Sequence, residues 1–116
     1  MYEEHIAREE VGGFIIDFYA CEEYTSPRGQ FQNEDGSDDE ETIGRIRDGT
    51  YAWFCAKVTA SRAGVVLGTD YLGGCCYDSP QQFWDMGDGY YKSNMIAAAI
   101  AEAVATIEAL NQARIS

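Results

Sequence analysis

Apolar residues recur at every third or fourth position near the C-terminal end of the chain. This spacing is that of an α-helix with one apolar face, and Ser93 or Asn94 can cap its start. The residues of the predicted stripe are Ile96, Ile100, Ala103, Val104, Ile107 and Leu110. Alanines fill many positions between them, which raises helix propensity and allows close approach to a sheet. We therefore predict a long final helix that packs on a sheet through this stripe.

A second periodicity, that of β-strands, predicts the sheet. Residues 50–60 alternate with a period of two, and a tight turn through residues 61–64 leads to a hairpin partner at residues 65–69. Two faces are expected on the first of these strands: one is lined by Phe54, Ala56 and Val58, and the other by Tyr51, Trp53, Cys55, Lys57 and Thr59. The Gly73-Gly74 pair predicts a break or a bulge in the stretch that follows this partner, before residues 75–77. Residues 13–24, rich in β-branched and aromatic side chains, predict an earlier strand.

A short helix is predicted around the acidic segment, residues 34–41. Ser37 is placed to cap this helix, and Glu40 completes a capping box. Arg45 and Arg47 suit the negative end of the helix dipole. The residues expected to face the core are Ile43 and Ile46.

Ser79-Pro80 starts a further helical turn, which Phe83 and Trp84 can hold against the sheet. No internal repeat or linker divides the chain, so residues 1–116 are predicted to form one domain. We predict an α+β fold with a mainly antiparallel sheet of three or four strands and a long C-terminal helix on one face. The short acidic helix is expected to pack nearby.

The chain is strongly acidic, and its acidity is uneven. Its formal net charge is −12, and residues 1–48 hold 14 acidic and four basic residues, against six and four in residues 49–116. The acids of the acidic segment are Glu34, Asp35, Asp38, Asp39, Glu40 and Glu41. Such a surface repels nucleic-acid phosphates and attracts the basic surfaces of other proteins. We expect a basic protein partner and no direct nucleic-acid binding; the alternative is that the acids only keep the protein soluble.

The residues of the common catalytic and metal sites are scarce. His5 is the only histidine and lies near a terminus that we expect to be mobile, which disfavours a Ser–His–Asp or Cys–His arrangement. The four cysteines lack the spacing of a zinc site, and adjacent Cys75 and Cys76 would point to opposite faces of a strand. We expect reduced, partly buried thiols, no metal, no cofactor and no enzymatic activity. An enzyme or metal-dependent protein is the third alternative.

Membrane insertion and secretion are not expected. The longest uninterrupted apolar run, residues 95–101, has seven residues, whereas a spanning helix needs about 20. Residues 1–10 lack the basic start and apolar region of a signal peptide. We therefore expect a cytoplasmic protein.

Aromatic side chains are a further candidate for recognition, because Tyr and Trp are favoured at protein interfaces. Those near predicted loops are Tyr71, Tyr77, Trp84, Tyr90 and Tyr91. An acidic rim around exposed Tyr or Trp anchors would make a docking site for a basic partner. The alternative is that these aromatics are ordinary core and rim residues of a thin two-layer fold.

Part of the chain resembles small uncharacterised phage and prophage proteins. The resemblance covers residues 48–110, through WFCAKV at residues 53–58, LGTDYLGGC at residues 67–75 and the alanine-rich helix. Its motif is structural, a hairpin, a glycine break and a helix, and it supplies no catalytic residues. It implies a bacterial or phage setting, and hence the cytoplasm of a host bacterium. Small acidic proteins of such genomes are often inhibitors of host defence, including anti-restriction and anti-CRISPR proteins that mimic DNA.

These observations together predict a non-enzymatic acidic protein that binds a basic protein surface. By analogy of class, it would inhibit a nucleic-acid-binding host defence factor by DNA mimicry. The candidate partner-binding residues are Glu34, Asp35, Asp38, Asp39, Glu40, Glu41, Tyr90 and Tyr91. The alternative is a homo-oligomeric or accessory structural phage protein whose acidity serves solubility alone.

Overall fold

Four antiparallel strands and three helices make up the computed structural model, which describes residues 2–86 and 90–115 apart from the side chains of residues 90, 114 and 115. The elements are β1 (Glu3–Val11), β2 (Phe14–Cys21), α1 (Glu40–Arg47), β3 (Ala52–Arg62), β4 (Val65–Tyr77), α2 (Pro80–Asp85) and α3 (Tyr90–Ile115). The strands form one sheet in the order β1-β2-β3-β4, and every neighbouring pair is antiparallel. The predicted α+β architecture, with a long C-terminal helix, is confirmed.

The first strand of the sheet, β1, was not predicted. The expectation of a mobile terminus around His5 is wrong, because β1 pairs with β2 from Glu3↔Cys21 to Val11↔Phe14. Four of its nine residues are glutamates, so the strand lacks the alternation of apolar and polar residues by which strands are recognised. Charged residues are common on edge strands, where they discourage pairing with other chains. The strand predicted at residues 13–24 is β2, which ends at Cys21.

The core lies between the sheet and helices α2 and α3. We call the side of the sheet that these helices cover the core face and the opposite side the outer face. Phe54, Ala56 and Val58, which were predicted to share one face of their strand, are buried on the core face. The ring of Trp84 on α2 stacks on Phe18 of β2, with 4.9 Å between ring centroids. Trp84 is therefore a core residue and not a surface anchor.

Helix α3 differs from its prediction in its start and in its buried stripe. It begins at Tyr90, ahead of the predicted caps Ser93 and Asn94. The residues that it buries fully are Met95, Ala99 and Ala103, while Ile96, Ile100 and Ile107 flank them at partial burial. Val104 and Leu110 are exposed, Leu110 to 59%.

The reason for this stripe is a close approach between α3 and β4 at Gly68. A Cβ atom built on Gly68 would lie 2.0 Å from the carbonyl oxygen of Ala99 and 2.7 Å from the backbone nitrogen of Ala103. Only small residues fit on the helix at this distance, so alanines occupy the contact line. Every side chain from Glu108 to Ala113 is exposed, because the helix continues past its contact with the sheet.

Over Tyr91–Ala113, α3 is long enough and apolar enough to cross a membrane, judged by length and composition alone. The count of uninterrupted apolar residues did not indicate this. In the structure the same helix packs against β3 and β4, but only 17% of its apolar 18-residue window is buried.

The predicted turn and bulge are both present in the β3–β4 hairpin. Ala63 and Gly64 form a two-residue turn in which both φ angles are positive, 54° and 78°, as a type I′ turn requires. Between the pairs Phe54↔Cys75 and Ala56↔Leu72, β4 holds one residue more than β3. The bulge therefore lies at Gly73-Gly74. The predicted helical turn after Ser79 is α2, whose first free backbone amides Ser79 caps.

Helix α1 forms where predicted but with a different cap. Its N-cap is Asp39, whose carboxylate accepts hydrogen bonds from the backbone N–H and the hydroxyl of Thr42 at 3.2 and 2.8 Å. The predicted cap, Ser37, instead donates to Asp35 in the preceding turn. Asp is as good an N-cap as Ser. Because Ser37 is engaged with Asp35 in the preceding turn, Asp39 caps the helix instead. Ile43 is buried and Ile46 half-buried.

Candidate docking surface

The predicted acidic segment is held mainly by its own neighbourhood. A guanidinium nitrogen of Arg28 lies 2.8 Å from Glu40 and 3.3 Å from Asp38. Arg45 lies 2.9 Å from Glu41, one helical turn away. These ion pairs neutralise part of the segment's charge, and they fold the loop after β2 onto the start of α1.

The other acids of the segment also have local contacts, with one exception. Hydrogen bonds from Ser37 and from Thr42 lower the pKa values of Asp35 and Asp39 respectively. Glu34 is exposed. Most acids of the acidic segment therefore hold the conformation of a loop or cap a helix.

The predicted tyrosine anchors are not brought into a shared site with these acids. Tyr91 is 43% exposed and lines a groove with Phe31 and residues 72–77 of β4. The side chain of Tyr90 lies outside the described part of the structure. No pocket lined by Tyr91 among the described residues includes an acid of the acidic segment.

The outer face of the sheet carries most of the polar side chains of the strands, together with Tyr19, Trp53 and Tyr71. Antiparallel register sets them in three rows that run across the strands. The rows are Glu3–Cys21–Cys55, His5–Tyr19–Lys57–Tyr71 and Arg8–Asp17–Thr59–Thr69. The loop after β2 covers one end of this face, where the indole N–H of Trp53 donates to the Thr25 carbonyl at 2.8 Å.

The third row contains a buried carboxylate. Asp17 is only 4% exposed, and it accepts hydrogen bonds from Arg8 Nε and His5 Nε2, both at 2.7 Å. Burial alone would raise the pKa of Asp17, but the hydrogen bonds and charges of these partners outweigh it and lower the pKa. Asp17 therefore ties the edge strand β1 to β2.

The second row holds a lysine whose positive charge is paired with a carboxylate. Lys57 Nζ lies 3.3 Å from Glu3 Oε1 and 5.3 Å from the centroid of the Tyr19 ring. Burial disfavours the charged form of Lys57, but the hydrogen bond and charge of Glu3 outweigh it and raise the pKa. The lysine therefore stays charged while adding no net positive charge to this region.

A pocket of about 280 Å³ lies at the end of the outer face where the first two rows meet the residues after β2. Its lining residues are Tyr2, Glu3, Cys21, Glu22, Glu23, Tyr24, Cys55, Lys57 and Tyr71. Tyr24 is 76% exposed and Tyr71 60% exposed. We call this site the tyrosine–glutamate pocket. In this pocket, exposed tyrosines and acids share one concave surface.

The charge of the tyrosine–glutamate pocket is negative. Its described lining holds three glutamates and one base, Lys57, which Glu3 neutralises. Glu23 is fixed by backbone N–H groups of Gly74 and Thr25 at 2.8 and 3.0 Å, which lower its pKa. The charge of Glu22 raises the pKa of the neighbouring Tyr24. Such a pocket suits a cation that lies over tyrosine rings and pairs with a carboxylate.

The sequence pointed to one of these residues, Tyr71, and missed the rest. The pocket combines residues from all four strands, from the segment after β2 and from Tyr2, so it exists only in the folded register. Because β1 was not predicted, nothing in the sequence indicated that Glu3, or Tyr2 just before the strand, would contribute to a pocket. Among residues 2–86 and 90–115, no group of three or more His, Cys, Asp or Glu side chains is placed to hold a metal ion.

Comparison with protein-family models, curated proteins and solved structures finds no match to this chain. The resemblance to phage and prophage proteins therefore stays a prediction.

Proposed function

We propose that the protein is a non-enzymatic, acidic binding protein that docks on a basic surface of another protein. The observation that carries the proposal is the tyrosine–glutamate pocket, which combines exposed tyrosines with uncompensated acids. The partner class that fits is a nucleic-acid-binding protein of a bacterial host, whose basic surface an acidic protein can block by mimicking DNA. The docking residues differ from those proposed from the sequence, because the acidic segment is largely engaged in its own loop.

The distribution of charge supports attraction over long range. Five of the eight basic residues, all within the described part of the chain, pair with acids: Arg8, Arg28, Arg45, Lys57 and Lys92. The molecule as a whole keeps a net charge of −12. Such a field speeds association with a basic partner and weakens as salt is added.

The pocket itself supports a specific contact at short range. An arginine or lysine of the partner can lie over the exposed rings of Tyr24 and Tyr71 while its charge meets Glu22. Tyrosine anchors in concave sites are frequent binding hot spots, and a cation over an aromatic ring contributes up to about 2 kcal/mol when desolvated. The surrounding acids would then orient the basic surface.

The proposal predicts a salt-sensitive partner whose capture depends on two tyrosines. Immobilised protein is exposed to a bacterial lysate at low and at high salt, and retained proteins are identified by mass spectrometry. We expect a basic nucleic-acid-binding protein at low salt only, displaced by added DNA. The double variant Tyr24→Ala/Tyr71→Ala should lose it, because both rings of the pocket are gone.

The matched control is Tyr91→Ala, which removes an exposed tyrosine elsewhere on the fold. It should retain the partner. Equal capture of the partner by the double variant and wild type would contradict docking at this pocket. Loss of the partner with Tyr91→Ala alone would instead place the docking site at Tyr91, one of the residues predicted from the sequence.

A second candidate function, self-association, is favoured by the outer side of α3. The radius of gyration is 17.1 Å, against about 13 Å for a compact chain of this size, because α3 projects beyond the sheet. Alanines recur at every fourth position on its exposed side: Ala97, Ala101, Ala105 and Ala109. A stripe of small residues allows a second helix to approach closely, as it does at Gly68 within the fold.

Self-association predicts a dimer that arginine on α3 would break. Light scattering of the wild type should give twice the monomer mass, and Ala101→Arg/Ala105→Arg should give the monomer. Arginine keeps helix propensity, so α3 should stay folded while the bulk and charge of the new side chains on both copies block the contact. A wild type that is monomeric at all concentrations tested would remove this candidate.

A further inference from the structure

Two cysteines far apart in the sequence lie opposite each other on the outer face. Cys21 ends β2 and pairs directly with Cys55 on β3. Both are free thiols, both are half-buried, and both line the tyrosine–glutamate pocket. The mutual approach of these side chains is invisible in the sequence, where 33 residues separate them.

The backbone geometry of such a pair allows a covalent link. Directly opposed residues of an antiparallel pair have Cα atoms about 4.5 or 5.5 Å apart, depending on the hydrogen-bonding pattern. Both distances lie within the range of about 4.4–6.8 Å found for disulfides. Because Cys21 is the last residue of its strand, small adjustments there disturb few ladder hydrogen bonds.

The other two cysteines are differently placed. Cys75 faces the core and is buried, which raises its pKa to about 12. Cys76 follows it on β4 and pairs with Trp53, away from the Cys21–Cys55 row. They serve as internal controls, because neither is a register partner of a cysteine among the described strand pairs.

We propose that Cys21 and Cys55 are a redox-active dithiol, which a small disulfide such as oxidised glutathione converts into a cross-strand disulfide between β2 and β3. This site and its chemistry do not depend on the docking proposal. Its location in an open pocket gives a small reagent access to both sulfur atoms.

The reaction proceeds by two thiol–disulfide exchanges. The Cys21 thiolate attacks one sulfur of oxidised glutathione, forms a mixed disulfide and releases one glutathione thiolate. The Cys55 thiolate then attacks the Cys21 sulfur, forms the Cys21–Cys55 bond and releases the second glutathione. The two cysteine protons end on the two reduced glutathione molecules, and the two electrons that reduce the oxidised glutathione come from the pair of cysteines.

The surroundings set the conditions for this exchange. Burial raises the pKa values of both thiols, and Glu3 adds to the effect at Cys21 while Lys57 opposes it. Since the thiolate is the attacking species, the rate should increase as pH rises above neutrality. The bond would close a loop that contains α1, and cross-links of this kind raise the melting temperature by roughly 10 °C in a small domain.

The test uses the reduced full-length protein, oxidised glutathione and intact-mass and peptide mass spectrometry. We expect a product lighter by two hydrogen atoms, a non-reduced peptide joining Cys21 to Cys55, free thiols at Cys75 and Cys76, and a higher melting temperature that reductant reverses. Cys55→Ser should instead trap glutathione on Cys21, and Cys76→Ser should behave as wild type.

Three results would overturn the inference. They are stable glutathione on the wild type without a cross-link, a cross-link that includes Cys76, and no reaction of Cys21 or Cys55 at alkaline pH. Peptide mapping of the wild type decides among them without relying on any variant.

Discussion

Replacing Gly68 with alanine should lower the free energy of unfolding by about 3 kcal/mol, the upper part of the range for overpacked cores. A natural domain has a free energy of unfolding of only about 5–15 kcal/mol. This single methyl group would therefore remove a large share of the domain's stability. Equilibrium unfolding in urea measures the change directly.

The reason is that the added Cβ atom would meet backbone and not side chain. It would lie 2.0 Å from the Ala99 carbonyl oxygen and 2.7 Å from the Ala103 nitrogen. Neither atom can rotate away, so α3 must lift from β4. The helix would then lose contact at the buried residues Met95, Ala99 and Ala103.

Gly44→Ala is the matched control. Gly44 lies within α1, and a Cβ atom there meets nothing within 4 Å. Alanine is the better helix former by up to about 1 kcal/mol, so this variant should be as stable as the wild type or more so. A Gly68→Ala protein within about 0.5 kcal/mol of the wild type would contradict the close helix–sheet contact.

The second large effect is expected at Asp17. Asp17→Ala should lower the free energy of unfolding by about 2 kcal/mol, because hydrogen bonds from Arg8 and His5 to a charged acceptor would be lost. Asp17→Asn should cost less, since one acceptor oxygen remains. Both variants should release β1 first, which hydrogen exchange of the β1 amides would detect.

The effect of Asp17 should also depend on pH in a defined direction. Its pKa in the folded protein is lowered from 3.8, so its contribution is full above the unfolded value and is lost as pH falls through the folded one. The stability difference between wild type and Asp17→Asn should therefore shrink as pH falls below about 4. A difference that stayed constant down to about pH 2 would contradict the role of the ionised carboxylate.

The elements with a clear period were predictable from the sequence. The β3–β4 hairpin, the bulge at Gly73-Gly74 and α2 follow from alternation, turn chemistry and a Ser-Pro cap. Helix α3 was predictable as a helix, but its buried stripe was not. The stripe follows from the close approach at Gly68, a contact between residues about thirty positions apart that local periodicity does not encode.

The candidate site was less predictable than the fold. Counting acids led to the acidic segment, but Arg28 and Arg45 engage several of them, and pairing depends on how the loop folds. The tyrosine–glutamate pocket depends on the register of β1, whose glutamates gave no strand signal. Tyr71 was the one pocket residue selected from the sequence, whereas Trp84, selected on the same grounds, is buried on Phe18.

The tyrosine–glutamate pocket is proposed to make the specific contact with a basic partner. The most direct measurement is the affinity of the captured partner for wild type, Tyr24→Ala/Tyr71→Ala and Tyr91→Ala by calorimetry at fixed salt. We expect about 100-fold weaker binding for the double variant, as two hot-spot tyrosines imply, and unchanged binding for Tyr91→Ala. Equal affinity of the double variant and the wild type would contradict the account.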